Sequence, residues 1–112
     1  MTTFLPNGGQ AVLDIRKLED YCLNPTHPVG RHKARVFREA LGIGRDDSAR
    51  LVVEFLEAAR TGAASPAGAD EWGSRWSVDV AISRQNKRAV VRTIWMVRVG
   101  EDVPRFVTCW VL

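Results

Sequence analysis

Trp76, Val78, Val80 and Ile82 alternate with Ser77, Asp79, Ala81 and Ser83, and this period of two restricts the fold more than any other feature of the chain. Successive side chains of a strand point to opposite faces, so the run predicts a strand with one buried side. Gln85-Asn86-Lys87 reads as a turn, Arg88 to Val99 as a second strand, Gly100 to Val103 as a second turn, and Arg105 to Leu112 as a third strand. Short turns between adjacent runs give antiparallel pairing. If Val99 faces Pro104, then Thr93, Trp95, Phe106, Thr108 and Trp110 share one surface. Ile94, Met96, Val107, Cys109 and Val111 then share the other, rimmed by Arg88, Arg92, Arg98 and Arg105. A bulge exchanges the two surfaces. One packs on helices and the other is open to a ligand, and the alternation alone does not assign them.

The N-terminal half changes to helical spacing. After a turn-rich start, Ala11-Val12-Leu13 forms either a short strand or an apolar anchor. Asp14 is placed to cap a helix through Ile15, Leu18, Tyr21 and Cys22 that stops at Asn24-Pro25. A second helix runs from about Arg31 to Leu41 and ends at Gly42. A third, capped by Asp46, Asp47 or Ser48, puts Leu51, Val52, Phe55, Leu56 and Ala59 on one face. Thr61 to Asp70 is almost wholly Gly, Ala, Ser and Pro, so a mobile loop is expected at about 61–71. The expected architecture is a single α+β domain, 1–112, with three N-terminal helices on a mainly three-stranded antiparallel sheet.

Between the first two helices lies Asn24 to Phe37, with both histidines and two of the five prolines. Pro25 and Pro28 stiffen Thr26-His27, and Gly30 turns the backbone into the helix. Arg31, Arg35 and Arg38 recur at i, i+4 and i+7 as a solvated face, while Ala34, Phe37, Ala40 and Leu41 form the apolar one. Lys33 falls beside the apolar face and in the first turn, where the helix dipole disfavours a cation. It calls for an anion, or for a carboxylate such as Asp14, Glu19 or Asp20.

Charge and motif content exclude several classes. The net charge of +3 and pI near 9.3 allow a nucleic-acid partner without demanding one. No apolar run reaches the roughly 18 residues of a membrane span, and the first residues lack a signal-peptide pattern, so the expected location is cytoplasmic. Cys22 and Cys109 read as small core residues, with a disulfide as the alternative. Gly42-x-Gly44 is not a phosphate loop, no nucleophile elbow occurs, and two histidines without clustered carboxylates make a poor metal site.

Several blocks carry a resemblance. These are Lys17-Leu18-x-x-Tyr21-x-Leu23-Asn24-Pro25, His27-Pro28-x-Gly30-x-x-Lys33-Ala34-x-x-Phe37, Thr93-x-Trp95 and Pro104-Arg105-Phe106-Val107-Thr108. They resemble a small bacterial domain found alone beside a small partner gene and as a module of phage and secreted-toxin proteins, with Phe106 where that pattern has Leu. In layout this domain is similar to the BECR-like superfamily of barnase, EndoU, colicin D and RelE. The resemblance implies a metal-independent endoribonuclease that needs no cofactor, the toxin of a toxin-antitoxin pair, with RNA and a small antitoxin-like protein as partners.

Cleavage of this kind needs a base for the 2′-hydroxyl, an acid for the leaving 5′-oxygen and cations for the phosphorane. The expected catalytic set is His27 as acid or base, Lys33 and Arg105 on the phosphate, and Thr93 and Thr108 orienting oxygens. Arg31, His32, Arg92 and Trp95 are expected to bind RNA, Trp95 by stacking on a base. Each residue also has a plainer role. His27 and His32 serve equally as structural or exposed histidines, Arg105 as a partner of Glu101 or Asp102, and Trp95 as core. A non-catalytic module that grips RNA, an anion or a protein, and an adaptor that binds through an exposed sheet edge, are the competing readings.

Overall fold

The computed structural model describes residues 2–112. Four strands form one antiparallel sheet in the order β1-β2-β3-β4: β1 Ala64–Asp70, β2 Gly73–Arg84, β3 Lys87–Arg98 and β4 Arg105–Val111. The α+β class is as expected, but the three-stranded sheet is corrected to four. The added strand is the segment read as a loop at 61–71. Its composition offers nothing to bury, and indeed only Ala64 is buried there. Pairing supplies what side chains do not: Ala64 to Pro66 register against Val78 to Trp76 on β2, followed by an irregularity before Ala69. An outermost strand tolerates Pro66, because one row of its backbone groups needs no ladder partner.

The helices precede the sheet. α1 spans Arg31–Leu41 and ends on Gly42 in the left-handed region at φ 66°, the helix stop for which glycine is suited. α2 spans Ser48–Thr61. The first helix of the sequence reading is shorter than expected and differently wound, a π-helix at Leu18–Cys22. Helical winding begins just ahead of it at Arg16, where Asp14 Oδ1 accepts the backbone N–H of Arg16 as an N-cap does, and the Arg16 guanidinium binds the same carboxylate at both oxygens. Among the described residues no helix is long and apolar enough to cross a membrane.

Trp95, Phe106, Val78, Ile82 and Val91 from the sheet meet Phe37, Leu41, Leu51, Phe55, Leu18 and Leu23 in the core. Phe55 of α2 stacks on Phe106 at 5.9 Å between ring centroids, and Phe106 meets Trp95 edge-on at 5.4 Å. The register differs from the expected one. Trp95 pairs with Phe106, but Ile94 pairs with Thr108 and Thr93 with Cys109, so Val107 is an extra residue. This bulge puts Thr93, Trp95, Phe106 and Cys109 on the helix-covered side, and Thr108 and Trp110 with Ile94 and Arg92 on the other. Val12 bridges the start of β4 in parallel, with Val12 N–H donating to Pro104 and Phe106 N–H to Val12.

Candidate functional site

Gly30 sets the geometry between the π-helix and α1. A Cβ there would lie 2.1 Å from the carbonyl oxygen of Tyr21, so only glycine lets the two segments touch. The loop before it is built from its own side chains. Asn24 Oδ1 accepts from the backbone N–H and hydroxyl of Thr26, and His27 Nδ1 accepts from the N–H groups of Val29 at 3.0 Å and Gly30 at 2.8 Å. Two backbone donors make Nδ1 an acceptor and leave the ring proton on Nε2. The His27 ring stands edge-on to Tyr21 at 4.8 Å. His27 is thus the cap that organises the start of α1, and the neutral ring has no free lone pair with which to act as a base.

α1 then delivers Lys33 to the edge of β4. Its Nζ donates to Thr108 Oγ1 at 2.7 Å and lies 5.2 Å from the ring centre of Tyr21 and 5.5 Å from that of Trp110. Both π faces attract an ammonium. None of the three expected carboxylates pairs with it: Asp14 is held by Arg16, Asp20 by Arg45, and Glu19 forms no ion pair among the described residues. Lys17, Tyr21, Lys33, Val107 and Thr108 line a hollow of about 460 Å³. It holds two ammonium groups, a phenol and a hydroxyl, and no carboxylate lines it.

Behind Thr108 lies a pair of buried thiols. Cys22 Sγ is 3.8 Å from Thr108 Oγ1. The Cys109 thiol donates to Cys22 and holds its pKa down to about 6, against the burial that raises it, with Thr108 and the charge of Lys33 acting in the same direction as Cys109. Cys109 is correspondingly pushed well above the ordinary thiol value. Both cysteines are free. Among the described residues no group of His, Cys, Asp and Glu is arranged to hold a metal ion.

Of the expected catalytic set, the structure brings together Lys33 and Thr108, with His27 one ring away behind Tyr21. It withdraws Thr93, which is buried under the helices, donates to the Val78 carbonyl and accepts from Trp95 Nε1. Trp95 is fully buried and offers no face to a base. Both are withdrawn because the helices cover that face of β3, and the bulge at Val107 turns Thr108 to the opposite face. Arg105 turns back to Glu101 at 3.0 Å, and Arg92 forms a two-bond pair with Asp79, whose carboxyl it holds below the usual range. Arg31 and His32 line a different hollow, on the other flank of α1. Lys17, Tyr21, Cys22 and Trp110 join the site without having been assigned to it. Lys17 and Tyr21 lie four residues apart within the first motif block, the one signal that pointed to them.

The comparisons with known proteins bear on the whole chain. A family model described as a domain of unknown function, DUF6883, matches residues 4–112. The chain belongs to the DUF6883 family. No curated protein and no solved structure matches it. Membership in DUF6883 covers the motif blocks and the site alike, and assigns no activity to either.

Proposed function

We propose that the chain binds RNA with one phosphodiester in the Lys33 hollow and cleaves it, without a metal, by attack of the adjacent 2′-hydroxyl. The observation that supports this is the ammonium of Lys33, unpaired with any carboxylate, fixed by Thr108 and two aromatic rings beside Lys17. A phosphate supplies the missing negative charge. In the reaction the 2′-oxygen bonds to phosphorus, the bond to the 5′-oxygen breaks, and a 2′,3′-cyclic phosphate and a 5′-hydroxyl result. Lys17 and Lys33 offset the charge that grows on the phosphorane, which is where fixed cations act most strongly. The 2′-hydroxyl gives its proton to solvent as the new P–O bond forms, and the leaving 5′-oxygen takes one from a group that lines the hollow, the Tyr21 phenol foremost, and not from His27. By its resemblance the chain acts in the cytoplasm as the toxin of a toxin-antitoxin pair.

The test is RNA cleavage in EDTA by wild type, Lys33→Ala and Tyr21→Phe, with product ends mapped and folding checked by circular dichroism. The expected result is cyclic phosphate ends, with the rate reduced by about two orders of magnitude or more in each variant, as for loss of one electrostatic or acid–base group. RNA left intact by wild type overturns cleavage. If RNA is then still bound, and released by Lys33→Ala, a non-catalytic RNA-binding module replaces the enzyme. The occupied Nδ1 of His27 is the specific observation that favours this second reading.

A further inference from the structure

Sixteen lysines and arginines stand against thirteen acidic residues, and most of the cations are accounted for. Nine arginines pair with a carboxylate. Among the described residues seven cations do not: Lys17, Arg31, Lys33, Arg38, Lys87, Arg88 and Arg98. Four of these lie on the two flanks of the short segment that joins the π-helix to α1 and on α1 itself. Lys17 and Lys33 belong to the hollow already described. Arg31 and Arg38 belong to another.

This second hollow, of about 360 Å³, has Leu23 and Pro25 on its apolar side and Arg31, His32, Arg35 and Arg38 on the other. No carboxylate lines it. At 3.6 residues per turn, positions 31, 35 and 38 project from one flank of α1 while Lys33 projects from the opposite one. A rise of 1.5 Å per residue spreads the three arginines over about 10 Å. Arg35 is only loosely tied, to Glu39 at 4.0 Å with both side chains about 70% exposed, a pair worth little in water. Arg38 is placed rather than free: a Cβ on Gly44 would come within 3.1 Å of its guanidinium, so the glycine makes room for it. Arg31 is anchored by donation to the Pro28 carbonyl at 2.7 Å.

We infer that this flank of α1 is a second binding site that holds the sugar–phosphate backbone of single-stranded RNA, next to the stretch engaged at Lys33. The inference rests on the proposed RNA function and adds a contact away from the reacting phosphodiester. Planar guanidinium groups match phosphate oxygens in pairs, and the apolar strip with the exposed His32 ring gives a base something to lie on. The two hollows open on either side of the first turn of α1, where the helix dipole adds positive potential of the same sign. An acidic protein segment matches the charge but makes no use of the apolar side that faces the arginines.

The experiment measures binding of a single-stranded RNA about 15 nucleotides long, 2′-O-methylated so that it is not cut, as a function of salt. The proteins are wild type, Arg31→Ala/Arg38→Ala, and Arg88→Ala/Arg98→Ala, which removes two unpaired arginines elsewhere. Each phosphate neutralised on a single strand contributes about 0.7 to the slope of log K against log salt. The Arg31/Arg38 variant is expected to lower the slope by about 1.4 while the control pair leaves it unchanged. An unchanged slope, an equal fall in the control pair, or no binding by wild type overturns the inference. So does a loss confined to a polyglutamate competitor, which assigns the flank to an acidic protein. Cleavage of a dinucleoside phosphate, too short to span both flanks, is measured alongside. Dinucleotide cleavage with an unchanged slope removes only the second site, and a changed slope with no cleavage of any RNA removes only the enzyme.

Discussion

Single atoms decide how this site works. His27 is the residue whose chemistry reads most plainly as catalytic in the sequence, and its Nδ1 is spent on two backbone N–H groups. A cap of this kind stabilises by roughly 1–2 kcal/mol. His27→Ala is therefore expected to lose about that much in denaturant unfolding, whereas His27→Asn, which keeps an acceptor in reach of the same donors, retains most of the stability and most of the activity. Loss of activity in His27→Asn at unchanged stability would return the imidazole to the chemistry. Lys33 was legible as a residue in need of a partner, because a cation in the first turn of a helix is out of place. That the partner is a threonine 75 positions away, with two aromatic rings, was not legible. No local rule reports a contact across the fold.

Two elements carry the site, and each departs from regular geometry. The π-helix closes through Leu23 N–H to the Leu18 carbonyl at 2.8 Å, and such turns widen a helix where side chains need re-aiming. Here they aim Tyr21 at the hollow and Cys22 at β4. The bulge at Val107 does the same for Thr108, setting Cys109 inward and Thr108 toward Lys33. Together they create the thiol pair, whose effect on stability has a definite sign. Cys22 titrates at about 6 in the folded chain against 9.0 for the ordinary thiol. A lowered pKa contributes stability that is fully present above the unfolded value and is lost as pH falls through the folded one. Stability is thus expected to rise between about pH 6 and 9 by a component that Cys22→Ala abolishes. Thiolate ultraviolet absorbance should titrate near pH 6 in wild type, and a single titration at the ordinary thiol value would refute the coupling. The helices α1 and α2 were readable from their periodicity and glycine stop. The π-turn and the bulge were not, because one extra residue leaves hydrophobic spacing almost unchanged while reversing which face each side chain takes.

At the scale of the whole molecule, one core joins the helical layer to the sheet. Phe55, Phe106 and Trp95 are its centre. Phe55→Ala is expected to destabilise by about 3–5 kcal/mol and to lower the unfolding midpoints of helix and sheet signals together; two separated transitions would show that the layers are independent. The Arg84–Glu54 pair ties β2 to α2 at the periphery. Residue chemistry and periodicity by themselves determined the α+β class, the strands at β2 to β4, the two α-helices, and Lys33 as a cation in need of a partner. They do so because burial of an apolar face repeats at 3.6 or 2 residues, and because an unpaired cation beside a core face is costly wherever it lies. Only the tertiary structure decided the fourth strand, the inward placement of Thr93 and Trp95, the role of His27, and the separation of Lys33 from Arg31 and Arg38. β1 exists through backbone pairing with β2 and not through its side chains, helix packing picks the buried face of β3, and a single residue of register in β4 sets Thr108 apart from Thr93. These are properties of a neighbour's position, which the sequence of a segment does not contain.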